Sequence, residues 1–418
     1  MTHPPAVTLR ARADRQLIRP HDRSHRFVLV ELTAPPATQA RQRPPVNLAF
    51  VIDRSGSMAG QKLELAKRAV LEAVERLDDH DRFSVVAYDD EVQVVVERTT
   101  ATQAARRDAI DRLRGIGTGG STNLSGGWFA GCEQVAARQT TDAVNRALLL
   151  TDGLANVGIT DVAELSQHAG ELRARGIATT TFGVGNDFDE ALLQSMADAG
   201  GGHFYYIADA AQIRDHVASE VGEALEVVAR GVTLEVIPGD GVRVEAISPQ
   251  RVSTAGSRSV VSVGDLVADQ VVEVVLRLGF PYGEVGRDTR VILGLDGASE
   301  RLVWTYADDR ANDGQPRDRD VDRAVARQFA ARARQEAVRH NRGHDFDAAR
   351  RLLEGTAKRI RSYADGDPVL RALVHDLEAE TQVFAAPMAE PNLKQAHFAS
   401  ANMARNRDSM GRSVRRPS

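Results

Sequence analysis

From Val46 onward the apolar positions alternate between two periods. Val46-Asn47-Leu48-Ala49-Phe50-Val51-Ile52 is a near-continuous apolar run of strand length, as expected for a strand covered on both faces. Leu63, Ala66, Val70, Ala73, Val74 and Leu77 then recur at helical spacing and predict a helix from about Gln61 to Leu77. Two further runs, Phe83–Tyr88 and Val92–Val96, are joined by Asp89-Asp90-Glu91. A connection that short permits only an antiparallel hairpin. Helical patterns over Ala104–Leu113, Leu124–Ala137, Val162–Arg175, Glu190–Ala199 and Ala211–Ala224 alternate with strand runs at Ala147–Leu150, Thr179–Val184 and His203–Ile207. Strand–helix alternation of this kind predicts an α/β fold with a doubly wound, mostly parallel sheet over residues 46–224.

The flanks follow other rules. Residues 1–45 hold two strand-like runs, Val7–Ala11 and Arg26–Leu32, before a Pro-rich connector from Ala34 to Pro45. Residues 225–306 hold short strand runs separated by turns, the pattern of a β-sandwich. Two N-terminal strands cannot bury a core alone, so residues 1–45 are expected to pair into that sandwich. Residues 307–386 read as a polar linker to about 319 and then a helical bundle. Its helices are predicted over Asp320–His340, Phe346–Ile360 and Pro368–Phe384, with Asp367-Pro368 as N-cap and first helical residue. Residues 387–418 show little apolar periodicity. They carry Lys394, Arg405, Arg407, Arg412, Arg415 and Arg416 against Glu390 and Asp408, which predicts a basic, disordered tail.

Composition narrows the class. The 418 residues exceed one ordinary domain, and 42% hydrophobic content is enough for real cores. A net charge of −5 gives no general attraction to nucleic acid. The single cysteine, Cys132, excludes an intrachain disulfide framework and reads as a buried, inert thiol. No apolar run approaches the roughly 20 residues of a membrane span, and no signal-like segment opens the chain, so a cytoplasmic protein is expected. Basic residues are mostly Arg, with Lys only at 62, 67, 358 and 394. That bias points to a GC-rich, bacterial genome.

The candidate chemistry lies at strand ends. Asp53, Ser55 and Ser57 form a D-x-S-x-S run directly after the first buried strand. Thr122 follows in Gly119-Gly120-Ser121-Thr122-Asn123, where Ser121 offers a neighbouring hydroxyl. Asp152 follows the strand Ala147–Leu150. Two carboxylates and three hydroxyls, without Cys or His, suit magnesium, manganese or calcium rather than zinc or copper. The C-terminal ends of strands in an open α/β sheet are where ligands bind.

These three pieces together resemble the metal-ion-dependent adhesion site (MIDAS) of von Willebrand factor type A (VWA) domains, over roughly Val46 to Gly222. The resemblance implies direct ligation by Ser55, Ser57 and Thr122, with Asp53 and Asp152 acting largely through water. Thr122 is preferred to Ser121 because related sequences place this Thr directly before Asn. Magnesium is the expected ion, with manganese or calcium as substitutes. The ion would be completed by an Asp or Glu of a protein partner, making the protein a binding adaptor rather than an enzyme. The order of strands, VWA unit, further strands and helices is similar to bacterial VWA proteins with an inter-α-inhibitor-like layout. In such proteins the domain commonly serves assemblies that include ATPase or kinase–phosphatase systems.

Two alternatives stand beside the adaptor: a metal-assisted hydrolase, and a scaffold with a vestigial ion site. The hydrolase lacks a His base near either motif and a second carboxylate cluster for a second ion. Ser55 is outside any G-x-S-x-G context, and no H-E-x-x-H occurs. Gly117-Thr118-Gly119-Gly120 lacks the Lys of a phosphate-binding loop, and Gly183-Val184-Gly185 lacks the third Gly of a dinucleotide fingerprint. The intact five-residue set argues against a vestigial site.

Overall fold

The computed structural model describes residues 7–37, 43–137, 139–140 and 142–416. They fall into two compact units, one running from Thr38 to Arg230 and the other joining the N-terminal residues up to Ala37 with Gly231–Ser418.

The chain opens with β1 (Thr8–Ala13), β2 (Leu17–Ile18) and β3 (His25–Thr33), which belong to the second unit. It then builds the first unit from β4 (Val46–Asp53), α1 (Gln61–Glu75), β5 (Arg82–Tyr88), β6 (Val92–Thr100), α2 (Gln103–Arg114) and α3 (Leu124–Ala136). β7 (Val144–Thr151), α4 (Val162–Ala174), β8 (Ala178–Val184), α5 (Glu190–Gly200), β9 (Gly201–Ile207) and α6 (Ile213–Leu225) complete it. The sheet order is β6-β5-β4-β7-β8-β9, parallel throughout except for the β5–β6 hairpin. This is the doubly wound, mostly parallel sheet that the alternating periods predict. Every residue of β4 and β7 is buried, which is why both read as unbroken apolar runs.

Two features of this unit place the site. The sheet grows from β4 to β5 on one side and to β7 on the other, so a topological switch point lies between β4 and β7. The parallel register pairs Ile52 with Leu150, so the residues leaving these two strands emerge side by side. At the opposite end, Asp81 ties the strand starts together. Its carboxylate accepts from the Val46 N–H at 2.9 Å, the Asp78 N–H at 2.7 Å and the Arg43 guanidinium at 2.8 and 2.5 Å. Burial alone would raise the Asp81 carboxyl, but these donors and the Arg43 charge hold it below the ordinary carboxylate range.

The second unit continues with β10 (Val227–Pro238), β11 (Arg243–Ala246), β12 (Arg251–Ala255), β13 (Arg258–Val267), β14 (Val271–Gly279), β15 (Asp288–Leu295) and β16 (Ala298–Tyr306). Its two antiparallel-rich sheets have the orders β1-β3-β14-β11 and β12-β13-β10-β15-β16-β2. β3 is an interior strand, bonded to β1 on one side and to β14 from Thr33↔Val271 to His25↔Gly279 on the other. β2 closes the edge of the other sheet beside β16. The Trp304 indole N–H donates to the Arg15 carbonyl at 2.9 Å, so a buried ring of the sandwich is satisfied by the N-terminal segment.

Five helices follow: α7 (Asp309–Gly314), α8 (Arg319–Arg342), α9 (Phe346–Arg361), α10 (Pro368–Phe384) and α11 (Glu390–Ala404). α8 is the central one. Val321, Ala324 and Val325 face Leu29, Ile247 and Val275 of the sandwich, and its later alanines join Leu353, Ile360, Leu370 and Leu377 in the helical core. Among the described residues no helix is long and apolar enough to cross a membrane.

Two expectations for this region need correction. The 307–319 linker contains α7, capped by Asp308, whose side chain accepts from the Ala311 N–H at 2.8 Å. Its polar residues are held from far along the chain: Arg19 pairs with Asp309 and Asp313, and Arg26 donates to the buried Asn312 at 2.9 Å. The tail expected to be disordered forms α11 against α8, with Leu393, Phe398, Ala401 and Ala404 buried. Few large apolar residues of α11 are needed because it also docks through polar bonds: the Gln328 amide donates to the Ala404 carbonyl at 2.8 Å. Beyond it, the Val414 carbonyl accepts from the Val271 N–H at 3.0 Å, and the Arg416 N–H donates to the Asp269 carbonyl at 2.9 Å.

Candidate metal centre

β4 ends at Asp53 and β7 at Thr151, so the switch point brings Asp53 and Asp152 together although 98 residues lie between them in sequence. Both carboxylates are fully buried. Asp53 accepts the Ser55 N–H at 2.8 Å with one oxygen and the Thr151 hydroxyl at 2.6 Å with the other. Both donors are neutral. Burial pushes the Asp53 carboxyl above its ordinary value; the Asp152 charge adds to this, and the hydrogen bonds only partly offset it.

After Asp53 the chain turns through a single 3-10 turn at Gly56–Met58 and enters α1. That turn sets Ser55 Oγ 3.1 Å from Ser57 Oγ, and Ser57 Oγ donates to Asp152 Oδ1 at 2.6 Å. The other Asp152 oxygen accepts from the Lys62 ammonium, which also reaches the Ser57 carbonyl at 3.3 Å.

Thr122 arrives on the loop between α2 and α3. The Gly119 N–H donates to the Arg54 carbonyl at 2.8 Å, and the Gly56 N–H to the Gly120 carbonyl at 3.1 Å, stitching this loop to the D-x-S-x-S turn. A side chain at 119 would overlap the buried Asp89 carboxylate, which Arg54 and the Glu91 N–H hold in place, so the close passage favours glycine there. The Thr122 N–H donates to Asn156 Oδ1 at 2.8 Å, and its carbonyl accepts from the Asn156 and Val157 N–H groups at 3.2 Å each. Thr122 is buried and Ser121 exposed. A methyl group at Gly153 would lie 3.4 Å from Thr122 Oγ1 and 3.5 Å from Ser57 Oγ. Both hydroxyls therefore border the small space that Gly153 leaves open.

All five residues singled out by sequence thus meet at one end of the sheet. Asp53, Ser55, Ser57 and Asp152 form one hydrogen-bonded chain, and Thr122 faces Ser57 across Gly153. Sequence reasoning missed three supporting groups. Thr151 binds the Asp53 carboxylate, Asn156 fixes Thr122, and Lys62 neutralises Asp152. Only Lys62 carried a signal, as one of four lysines and five residues after Ser57. The donor set suits a hard divalent cation. It is all oxygen and includes two buried carboxylates, and among the described residues Lys62 is the one cation in contact with them.

Comparison with known proteins bears on the fold of this segment. The model of the von Willebrand factor type A domain matches residues 47–219. An uncharacterised Escherichia coli protein, YfbK, is 30% identical over 200 residues, 47% of this chain and 34% of its own length. An uncharacterised Synechocystis protein is 31% identical over 252 residues, 57% of this chain and 58% of its own. This chain therefore spans between a third and six tenths of the length of these relatives. In three dimensions it resembles a solved von Willebrand factor type A protein from Catenulispora acidiphila, with a TM-score of 0.71 at 19% identity, covering 94% of this chain and 90% of that one. The five site residues all lie within residues 47–219, the segment that matches the von Willebrand factor type A domain.

Proposed function

We propose that this domain binds a divalent cation, magnesium foremost, and uses it to dock a carboxylate of a partner protein. Ser55, Ser57 and Thr122 would supply neutral oxygens, and Asp53 and Asp152 would act largely through water. Manganese or calcium could replace magnesium in such a set. The observation that carries this reading is the pair of fully buried carboxylates, one with no cationic partner among the described residues, bordered by three hydroxyls on the adjoining loops. Buried charge is costly unless compensated, and an ion supplies that compensation. Three neutral ligands leave the ion electrophilic, so an Asp or Glu from outside completes its shell.

The reading makes the protein an adaptor. Among the described residues, no histidine nitrogen is a hydrogen-bond partner of Asp53, Asp152, Ser55 or Ser57, so hydrolysis has no base in place. A cytoplasmic assembly, including an ATPase or a kinase–phosphatase system, is the partner class we favour, on the resemblance in layout alone. The test is affinity capture from native extract with magnesium against EDTA, beside Asp53→Ala. Partners retained by Asp53→Ala, or indifferent to EDTA, would overturn the proposal.

A further inference from the structure

Lys62 lies in the first turn of α1, and its ammonium contacts the Asp152 oxygen that Ser57 does not use. Its side chain is about one-third exposed (31%), while Asp152 is fully buried. The neighbouring Arg54 is already paired with Asp89 at 3.2 Å, so among the described residues Lys62 is the cation in contact with a site carboxylate, Asp152. Together Asp53, Asp152 and Lys62 carry one net negative charge. With a divalent ion added, the same group carries one net positive charge. Without Lys62 the loaded site would be neutral.

We infer that Lys62 tunes this site: its ammonium competes with the ion for Asp152 and leaves the loaded site cationic, so that an anionic ligand is needed to neutralise it. The inference rests on the reading of the site as a cation centre. Physically, a like charge a few ångströms from the ion weakens its binding through a partly buried, low-dielectric path. The same charge strengthens the attraction for an incoming carboxylate. Lys62 thus exchanges metal affinity for partner affinity, and it does so as a positioned charge rather than as a ligand.

Manganese titrated by calorimetry into wild type, Lys62→Met and Lys62→Arg tests this. Lys62→Met should bind manganese about tenfold more tightly than wild type, and Lys62→Arg should stay within about twofold of it. Acetate added to the manganese-loaded proteins, read by water proton relaxation, should bind more weakly to Lys62→Met. If Lys62 merely holds Asp152 in place, Lys62→Met weakens manganese binding instead. Equal or weaker manganese binding by Lys62→Met, with wild type binding normally, overturns the role of Lys62 alone. Manganese binding by none of the proteins overturns the cation reading as well. Binding by Lys62→Met alone supports the lysine as competitor. Lys62→Gln, checked by its melting curve, replaces Lys62→Met if the latter does not fold.

Discussion

Asp53 combines full burial with two neutral hydrogen-bond donors, and that combination has a measurable signature. Asp53→Asn keeps the shape, and its amide can bond both Ser55 and Thr151. The ion-free variant should therefore melt no lower than wild type, within about 1 kcal/mol. Its stabilisation by millimolar magnesium should vanish in the same scanning calorimetry. The pH dependence follows from the raised Asp53 carboxyl. The folded chain keeps this proton to higher pH than the unfolded chain, so stability declines as pH rises from the unfolded value to the folded one. Urea titrations in EDTA should show this decline in wild type and lose it in Asp53→Asn. At this scale the sequence was legible where spacing alone encoded the chemistry, as in Asp53-x-Ser55-x-Ser57. Thr151, Lys62 and Asn156 escaped because their roles depend on which strand neighbours which. Resemblance already favoured Thr122 over Ser121; the burial of Thr122 and its backbone bonds to Asn156, which no spacing encodes, accord with that preference.

Elements differ in how openly they announce themselves. β4 and β7 were readable because burial on both faces leaves no polar position to blur the run. α10 was readable because Asp367 caps it, accepting the Val369 and Leu370 N–H groups at 2.9 and 3.1 Å, ahead of Pro368. α11 was not, because its few large apolar residues, Leu393 and Phe398, show no clear helical period and its packing on α8 lies outside the local sequence. α7 was not, because its polar residues are satisfied by Arg19 and Arg26 from the far end of the chain. Two predictions belong to this scale. Asp81→Ala removes the acceptor of three groups, two of them backbone N–H groups, and leaves Arg43 with Asp78 as its carboxylate partner; it should destabilise the domain by about 3 kcal/mol in urea unfolding. Because the Asp81 carboxyl is held low, its contribution is present above the unfolded value and lost as pH falls through the folded one. Wild type and Asp81→Asn should therefore converge in stability toward low pH. In the other unit, deleting residues 1–37 strips β14 of its β3 neighbour and leaves Trp304 without its acceptor. That truncation should abolish cooperative unfolding of the sandwich, as followed by near-ultraviolet circular dichroism.

At the scale of the whole molecule, a ligand that binds only the folded state stabilises it by mass action. Magnesium at a hundred times its Kd should add about 2.7 kcal/mol to the stability of the VWA unit. A fragment spanning 38–230 contains all five site residues and its complete sheet, so it should fold and show the same magnesium-dependent rise in Tm. The pairing of Thr33 with Val271 has a further consequence in time. At about 5 to 20 residues per second, a ribosome that has finished β3 needs roughly 12 to 50 s to make its partner. During that interval Phe27-Val28-Leu29-Val30-Glu31-Leu32 has only β1 beside it, and its other edge is free to join a neighbouring nascent chain. The VWA domain is synthesised whole within that interval. Folding early, it would shorten the effective tether between the two halves of the sandwich. Polysomes crowded on one message are then the setting in which this architecture is most exposed to mispairing.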